Sequence, residues 1–271
     1  MMISTDILRQ VLTDNRNLVA QKKVFPRDIE IGELPRCVLV GVRRSGKSYL
    51  LFSKIQSLLA SGHSWDKVLY VNFEDERLMG FDVADFNKLL EVQAELSGKD
   101  SLPALFLDEV QLIDGWEKFA RRMADAQAEI YITGSNAKML SIQIAAALGG
   151  RFLTVNVFPL NFSEYLKAKG VAVRKVVWSS TTGKARILRE FAEFFEYGGL
   201  PECVQFSNKL EYINSVFQKI YLGDIIVRNK VTNALQRSHL TLDKVHLVSS
   251  SPWNLNCNEI TSCSTLSLQN P

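Results

Sequence analysis

A glycine-rich stretch at residues 41–48, GVRRSGKS, has the residue types and spacing of a phosphate-binding loop. Its two glycines let the backbone turn tightly and point N–H groups into an anion site at a helix N-terminus. Lys47 is placed to reach the β- and γ-phosphates, and Ser48 offers a hydroxyl to Mg²⁺. The pattern predicts nucleoside triphosphate binding, and an ordinary glycine turn with a surface lysine is the alternative. The predicted nucleotide-binding residues are Gly41, Arg43, Arg44, Ser45, Gly46, Lys47, Ser48, Tyr49 and Ser135.

Two adjacent carboxylates, Asp108 and Glu109, follow the apolar run PALFL at residues 103–107. Asp108 is predicted to hold Mg²⁺ opposite Ser48, and Glu109 is predicted to act as the general base on an attacking water. The alternative is that both carboxylates cap the helix expected to start near Trp116. A phosphate-binding loop about sixty residues upstream favours the catalytic interpretation.

Polar residues also follow the run EIYIT at residues 129–133. Asn136 is predicted to sense the γ-phosphate or the attacking water, while Ser135 either shares that role or caps the next helix. Arg151 is predicted to neutralise charge on the transferring phosphoryl group, from the same chain or from a neighbouring one. A solvated or structural arginine is the alternative for Arg151. The predicted catalytic residues are Lys47, Glu109, Asn136 and Arg151, and the predicted metal ligands are Ser48 and Asp108.

Strand-like and helix-like segments alternate from Cys37 to Phe158, and the strands are apolar nearly throughout. This predicts an α/β fold, a P-loop NTPase core with a parallel sheet flanked by helices, followed by a smaller, mainly helical region. Right-handed crossovers would place Ser45, Asp108 and Ser135 along the carboxyl edge of that sheet. The predicted strands are 38–40, 67–73, 103–107, 129–133 and 152–158, and the predicted helices are 47–59, 86–96, 116–126, 137–148, 163–169, 185–197 and 211–228.

The composition, with 46% hydrophobic and 23% charged residues, is that of an ordinary globular protein. A net charge of +3 is only mildly basic and does not by itself imply a nucleic-acid partner. No apolar run reaches membrane-spanning length, and the four cysteines lack disulfide or zinc-site spacing, which together predict a cytoplasmic location without membrane contact. The regions expected are a helical segment at 1–35, a core with the phosphate-binding loop at 36–160, a second, mainly helical region at 161–235, and an atypical truncated or disordered tail at 236–271.

A series of phrases, in order from Arg36 to Arg228, resembles AAA+-type ATPases of bacteria and archaea in which a P-loop core precedes a domain of unknown function. The phrases are GVRRSGKS, YVNFEDERL, LFLDEVQ, ITGSNAKML, GGRFLTVNVFPLNFSEYL, YGGLPECV and IYLGDIIVR. The resemblance implies ATP hydrolysis to ADP and phosphate with Mg²⁺, in a switch or motor that acts on a protein partner. A homo-oligomer is also open.

The same resemblance implies a role for each group of site residues. The glycines, lysine and serine of the loop would contact phosphates and Mg²⁺, Asp108 and Glu109 would form the acidic motif, and Ser135 or Asn136 would be the sensor. Arg151 becomes a candidate trans-acting arginine. The resemblance also implies that residues 36–160 are an ATPase core and that 161–235 form a helical lid or winged-helix-like region. From about Ala234 the chain no longer resembles the family and stops short of its usual length, so the further C-terminal domain is expected to be absent. Hydrolysis is expected to be weak in the isolated chain, because Arg151 or an equivalent arginine would have to come from a neighbouring subunit.

Three other functions stay open at this point. A nucleic-acid-associated ATPase would use basic residues on backbone phosphates, although the near-neutral net charge favours simply solvated surfaces. A small-molecule kinase shares the phosphate-binding loop, but the Asp108–Glu109 pair favours an activated water. A non-hydrolysing nucleotide-binding remnant would fit the atypical tail. The basic residues considered are Arg121, Arg122, Lys167, Lys169, Arg174 and Lys175.

Overall fold

The computed structural model of the chain describes residues 3–29, 31, 35–98, 101–135, 148–171 and 180–218. The chain divides into two compact units, Met1–Val204 and Gln205–Pro271. In the described residues the strands are β1 Arg36–Gly41, β2 Val68–Asn72, β3 Ala104–Asp108, β4 Ile130–Ser135 and β5 Leu153–Asn156. The helices are α1 Thr5–Gln21, α2 Lys47–Ala60, α3 Asp85–Ser97, α4 Trp116–Asp125, α5 Phe162–Ala168, α6 Thr181–Tyr197 and α7 Lys209–Val216.

The five strands form one sheet in the order β2-β3-β4-β1-β5, and every pair in it is parallel. This confirms the predicted α/β fold with helices against a parallel sheet. β4 is longer than predicted, because its pairing with β1 continues through Gly134 to Ser135, which lies opposite Gly41. The strand that was expected to end at residue 133 therefore runs on beside the phosphate-binding loop.

Helices cover both faces of the sheet. Leu8, Val11 and Leu12 of α1 join the core on the face that α3 and α4 cover, while Leu51 and Ile55 of α2 belong to the core of the other face. Each such side chain, buried fully, contributes on the order of 1.5–3 kcal/mol of hydrophobic stabilisation. The helical segment expected at 1–35 thus contributes α1 to the core.

The region after β5 packs through a third apolar cluster, formed by residues of α5, α6 and the segments next to them. Its helix α5 begins with a capping box, in which Asn161 and Glu164 each accept a backbone N–H of the other. The backbone at Gly199 approaches so closely that a Cβ there would lie 2.0 Å from the carbonyl oxygen of Leu160. Only glycine can occupy that position without moving the backbone.

In the second unit the described elements are the end of the 3-10 helix Pro201–Gln205 and helix α7, where the rings of Phe206 and Tyr212 stack with centroids 4.6 Å apart. Among the residues that the structure describes, every helix is too short or too polar to cross a lipid bilayer. Several predictions lie outside the described residues: Asn136, the helix at 137–148 up to residue 147, Arg174, Lys175, the helix at 211–228 beyond residue 218, and the tail at 236–271.

Candidate nucleotide-binding site

The phosphate-binding loop joins the end of β1 to the start of α2. Gly41 ends β1, and a Cβ added to it would lie 2.2 Å from the carbonyl oxygen of Val157 and 2.9 Å from Ser45 Oγ. Gly46 has φ 95°, a left-handed conformation, and is the N-cap residue of α2. Gly41 is therefore required because a side chain would collide with the Val157 backbone, and Gly46 because L side chains rarely adopt its conformation.

Lys47 is the first residue of α2, and its side chain is only 4% exposed. Its Nζ donates to the carbonyl oxygens of Gly41 at 3.3 Å and Val42 at 3.2 Å, and it lies 3.8 Å from Glu109 Oε1. Burial lowers the pKa of Lys47 from its ordinary value, and the nearby carboxylates of Glu109 and Asp108 oppose that change. The ammonium group is therefore held between the loop and the acidic pair.

Asp108 ends β3 and is almost fully buried. Tyr70 donates its hydroxyl to Asp108 Oδ2 at 2.9 Å, and Thr133 donates to Oδ1. The hydroxyl of Ser48 lies near enough to favour the charged form of the carboxylate. Burial raises the pKa of Asp108, while the hydrogen bonds from Thr133, Ser48 and Tyr70 favour the charged form. A buried carboxylate beside a serine hydroxyl is the hard oxygen donor set that suits Mg²⁺.

Glu109 leaves the strand in a left-handed conformation, with φ 54° and ψ 37°. Its N–H donates to Thr133 Oγ1 at 2.9 Å, and its Oε2 accepts a hydrogen bond from Gln111. The interpretation of the acidic pair as helix caps is wrong, because the N-cap residue of α4 is Gly115. Both carboxylates instead face residues of the phosphate-binding loop.

The acidic residues after β2 divide into two roles. Asp75 is structural, since it accepts the Arg77 N–H and forms an ion pair with the Arg77 side chain. Glu74 lies near the acidic pair. Desolvation raises the pKa of Glu74, and the charge of Glu109 raises it further. Asp75 therefore stabilises the segment after β2, whereas Glu74 lies in the acidic surroundings of the site.

The other residues of the phosphate-binding loop lie at or near the carboxyl ends of the strands. Ser45 is fully buried, and among the described residues its Oγ has no hydrogen-bond partner. Arg44, with φ 63°, forms an exposed ion pair with Glu202 at 2.5 Å. The charge of Arg43 influences the pKa of Lys47, which places it near the site, and Tyr49 is 40% exposed.

Arg151 lies away from the other predicted site residues of its own chain. It directly precedes Phe152 and Leu153, and Leu153 pairs with Cys37 near the amino end of β1, whereas the phosphate-binding loop starts at the carboxyl end. Its Nε donates to Asp125 Oδ1 at 2.7 Å, on the last residue of α4. Arg151 and Lys47 thus lie toward opposite ends of the parallel strands.

Four contacting residues were missed from the sequence. Tyr70, Thr133 and Gln111 touch the acidic pair, as described above. Arg27 has a side chain only 7% exposed and donates to the carbonyl oxygens of Ser45 at 3.1 Å and Phe158 at 2.8 Å, and to Glu164 Oε1 at 2.8 Å. No sequence pattern marks Tyr70, Thr133 or Arg27, because each one acts through a contact between distant segments. Gln111 follows Glu109 by two residues, and its role depends on the local turn there.

Three of the six basic residues considered for nucleic-acid binding, Lys167, Lys169 and Arg122, are engaged within the part of the chain that the structure describes. Lys167 pairs with Asp28 at 2.7 Å, and Lys169 pairs with Glu190 and Glu193. The side chain of Arg122 donates to Asn87. These contacts favour a structural role for this set over a phosphate-binding surface.

Comparison with known proteins gives a family match for the core. Residues 35–166 match the family described as AAA domain. An uncharacterized protein of Methanocaldococcus jannaschii is 39% identical over 238 residues, covering 86% of this chain and 52% of that protein. An uncharacterized protein of Haemophilus influenzae is 33% identical over 196 residues, covering 70% of this chain and 46% of that protein. The chain thus spans about half the length of the curated relatives it matches.

Among solved structures, DnaA from Aquifex aeolicus with bound AMPPCP matches with a TM-score of 0.41 and 15% identity. That match covers 83% of this chain and 69% of the DnaA chain.

Proposed function

We propose that this chain, whose residues 35–166 form an AAA-type P-loop domain, hydrolyses ATP to ADP and phosphate with Mg²⁺ and acts as a switch or motor on a protein partner. One observation carries the proposal. The ammonium of Lys47, the first residue of α2, lies 3.8 Å from the carboxylate of Glu109, the residue that follows the buried Asp108. A phosphate-binding loop and an acidic pair are therefore joined in one site.

The residues present fit a magnesium–nucleotide complex. Ser48 and Asp108 would hold Mg²⁺, which supplies positive charge against the phosphate oxygens when it is bound. The buried Oγ of Ser45, which has no hydrogen-bond partner among the described residues, offers a further hydrogen bond inside the loop. The N-terminus of α2 adds the partial positive charge of its free N–H groups.

In the hydrolytic step, Glu109 accepts a proton from the attacking water while the water oxygen bonds to the γ-phosphorus. The bond from that phosphorus to the bridging oxygen breaks, and ADP leaves with the bonding electron pair. Lys47 offsets the negative charge that develops on the phosphate oxygens. Gln111, which donates to Glu109 Oε2, holds the carboxylate in place.

Arg151 has a role in this proposal only if a neighbouring copy of the chain presents it, because in its own chain it lies at the other edge of the sheet. Ser135 ends β4 opposite Gly41, and Asn136 follows it in the sequence. We assign the sensor role to this end of β4. A homo-oligomer would then complete each site with an arginine from the next copy.

Two alternatives are less well supported. A nucleic-acid-associated ATPase would need basic side chains that are instead paired with carboxylates, as for Lys167 and Lys169. A protein that only binds nucleotide would not need a general base, whereas here Glu109 is held in a left-handed conformation with its carboxylate beside Lys47.

The proposal is tested by measuring ATP turnover and nucleotide binding, with Mg²⁺, in the wild type, Lys47→Ala and Glu109→Gln. We expect both variants to lose turnover by at least about a hundredfold, while Glu109→Gln keeps its nucleotide affinity. Lys118→Ala and Glu117→Gln on α4 are the matched controls and should behave like the wild type.

Two results would overturn parts of the proposal. Nucleotide binding by the wild type without turnover at any protein concentration would exclude hydrolysis, and no nucleotide binding would exclude the site altogether. If the arginine acts between copies, turnover per chain should rise with protein concentration, and Arg151→Ala should abolish that rise. A concentration-independent turnover that Arg151→Ala leaves unchanged would remove Arg151 from the site.

A further inference from the structure

We infer that Thr133 is a positioning residue whose single hydroxyl group fixes Glu109 relative to Asp108. This inference rests on the proposed hydrolysis, because it concerns how the proposed general base is placed. Thr133 lies in β4, is fully buried, and was not among the residues predicted from the sequence.

The hydroxyl of Thr133 makes two hydrogen bonds of fixed direction. The backbone N–H of Glu109 can only donate, so Thr133 Oγ1 accepts from it at 2.9 Å. The one hydroxyl proton is then given to Asp108 Oδ1, which as a carboxylate oxygen can only accept. One oxygen atom therefore holds the side chain of the metal-binding residue and the main chain of the next residue.

The hydrogen bond from the Glu109 N–H to Thr133 lies just beyond the last paired residues of β3 and β4. The pairing of β3 with β4 runs from Leu105 opposite Ile130 to Leu107 opposite Ile132. Asp108 still pairs with Asn72 of β2, and the chain leaves the strand at Glu109, which adopts the left-handed conformation that non-glycine residues disfavour. The Thr133 hydroxyl receives the N–H that the ladder no longer binds, and so stabilises the turn at Glu109.

The turn determines where the Glu109 carboxylate lies. From its left-handed backbone the side chain reaches Gln111 with one oxygen and comes within 3.8 Å of Lys47 Nζ with the other. Without the hydroxyl, the partly buried N–H of Glu109 would lose its acceptor. The left-handed backbone at Glu109 would then be less stable relative to an extended conformation. A misplacement of about 1 Å at a catalytic group is enough to lower a rate about a hundredfold.

The chain supplies matched variants for a test. Thr133→Val keeps the shape and removes the hydroxyl, whereas Thr133→Ser keeps the hydroxyl and removes a methyl group. Tyr70→Phe removes a hydroxyl from the same Asp108 carboxylate, on Oδ2, without touching the N–H of Glu109. Comparing these three variants separates the effect on Glu109 from any effect on Asp108.

The first measurement is hydrogen exchange of the Glu109 amide, by NMR, in the protein without nucleotide. We expect exchange to be about fivefold to tenfold faster in Thr133→Val, the equivalent of one lost hydrogen bond, and unchanged in Thr133→Ser and Tyr70→Phe. Unaltered exchange in Thr133→Val would overturn the inference, whether or not the protein hydrolyses ATP.

The second measurement is turnover at saturating ATP and Mg²⁺. Thr133→Val should lower kcat about tenfold to a hundredfold while the KM for ATP stays within about threefold, and Thr133→Ser should restore most of the rate. In a Glu109→Gln background Thr133→Val should add little, because its effect passes through Glu109. An additive effect there, or a loss of kcat as large in Thr133→Ser, would contradict the inference.

The two measurements separate failure of this inference from failure of the proposed function. A wild type that binds nucleotide without turnover removes the hydrolytic function, and the amide exchange then still decides whether Thr133 holds Glu109. If circular dichroism shows that Thr133→Val does not fold, Thr133→Ala is measured in the same way and should give the same two changes.

Discussion

The guanidinium of Arg27 donates through Nε to Glu164 Oε1 at 2.8 Å, and both side chains are almost fully buried. The same guanidinium donates to the carbonyl oxygen of Ser45, inside the phosphate-binding loop. Glu164 also accepts the N–H groups of Asp28 and Asn161, the latter at the start of α5. One buried ion pair thus connects the loop to the helix that follows the core.

Removing one partner of this pair should destabilise the protein strongly. Arg27→Met leaves the buried carboxylate of Glu164 without its cation, so we expect the free energy of unfolding to fall by about 3–5 kcal/mol. Arg27→Met combined with Glu164→Gln should cost less than the sum of the two single changes. Urea denaturation measures all three.

Arg9→Met is the control for that series, because Arg9 pairs with Asp6 and Glu95 at exposed positions. Exposed pairs contribute about 0–1 kcal/mol, so this variant should stay near the wild type. Equal losses of unfolding free energy in Arg27→Met and Arg9→Met would show that the buried pair stabilises the fold no more than an exposed pair does.

The exposed pair of Arg44 with Glu202 should compete with nucleotide for the arginine. Glu202→Gln removes the carboxylate charge and leaves Arg44 more available to phosphate, so we expect ATP affinity to rise up to about fivefold at low salt. The gain should shrink as salt is added, because the pair is exposed. Titration calorimetry at two ionic strengths measures both effects.

For this comparison Glu196→Gln makes the same charge change at another exposed glutamate, on α6. It controls for the general effect of removing one negative charge. An affinity gain of the same size in Glu196→Gln would show that no specific competition exists between Glu202 and the nucleotide.

Asp108→Asn should change the pH dependence of stability in a direction fixed by its pKa. Burial raises the pKa of Asp108 above its ordinary 3.8, so between that pH and the higher folded value the folded state binds more protons than the unfolded state. The contribution of protonated Asp108 to the free energy of unfolding is therefore lost as pH rises through that window. The stability of Asp108→Asn relative to the wild type should grow as pH rises from about 4.

Asp75→Asn is the control of opposite sign. Its hydrogen bond with Arg77 lowers the pKa of Asp75, so that carboxylate stabilises the fold above its ordinary pKa and the contribution is lost as pH falls. The wild type should therefore gain stability over Asp75→Asn as pH rises. Urea unfolding at several pH values tests both, and slopes of the same sign for the two variants would contradict the assignment.

The sequence was sufficient for the features that a short motif encodes. The loop at residues 41–48 follows a strand and opens a helix, as its glycine spacing predicted, and the apolar runs predicted the strands of a parallel sheet. The placement of Asp108 at the end of a buried strand was also predicted. Each of these depends on neighbours within a few residues.

Other features of the site depend on contacts that the sequence does not display. Thr133 reads as one more β-branched strand residue, and Tyr70 as an ordinary aromatic one, until β2, β3 and β4 are placed side by side. Arg27 lies in a segment without regular structure, and only the folded chain brings it to Ser45 and Glu164. The extension of β4 to Ser135 likewise follows from its pairing with β1 and not from its own composition.

The position of β1 between β4 and β5 has a consequence for how the chain folds during its synthesis. Arg36 pairs with Ile130, 94 positions further along the chain (130 − 36), and Cys37 also pairs with Leu153. During synthesis on the ribosome the strand that carries the phosphate-binding loop emerges before both of its partners, and pairings over such distances form slowly. The phosphate-binding loop is therefore expected to reach its folded conformation only after β5 has been synthesised. Before that point a nucleotide could not bind to the loop and so could not stabilise the nascent chain.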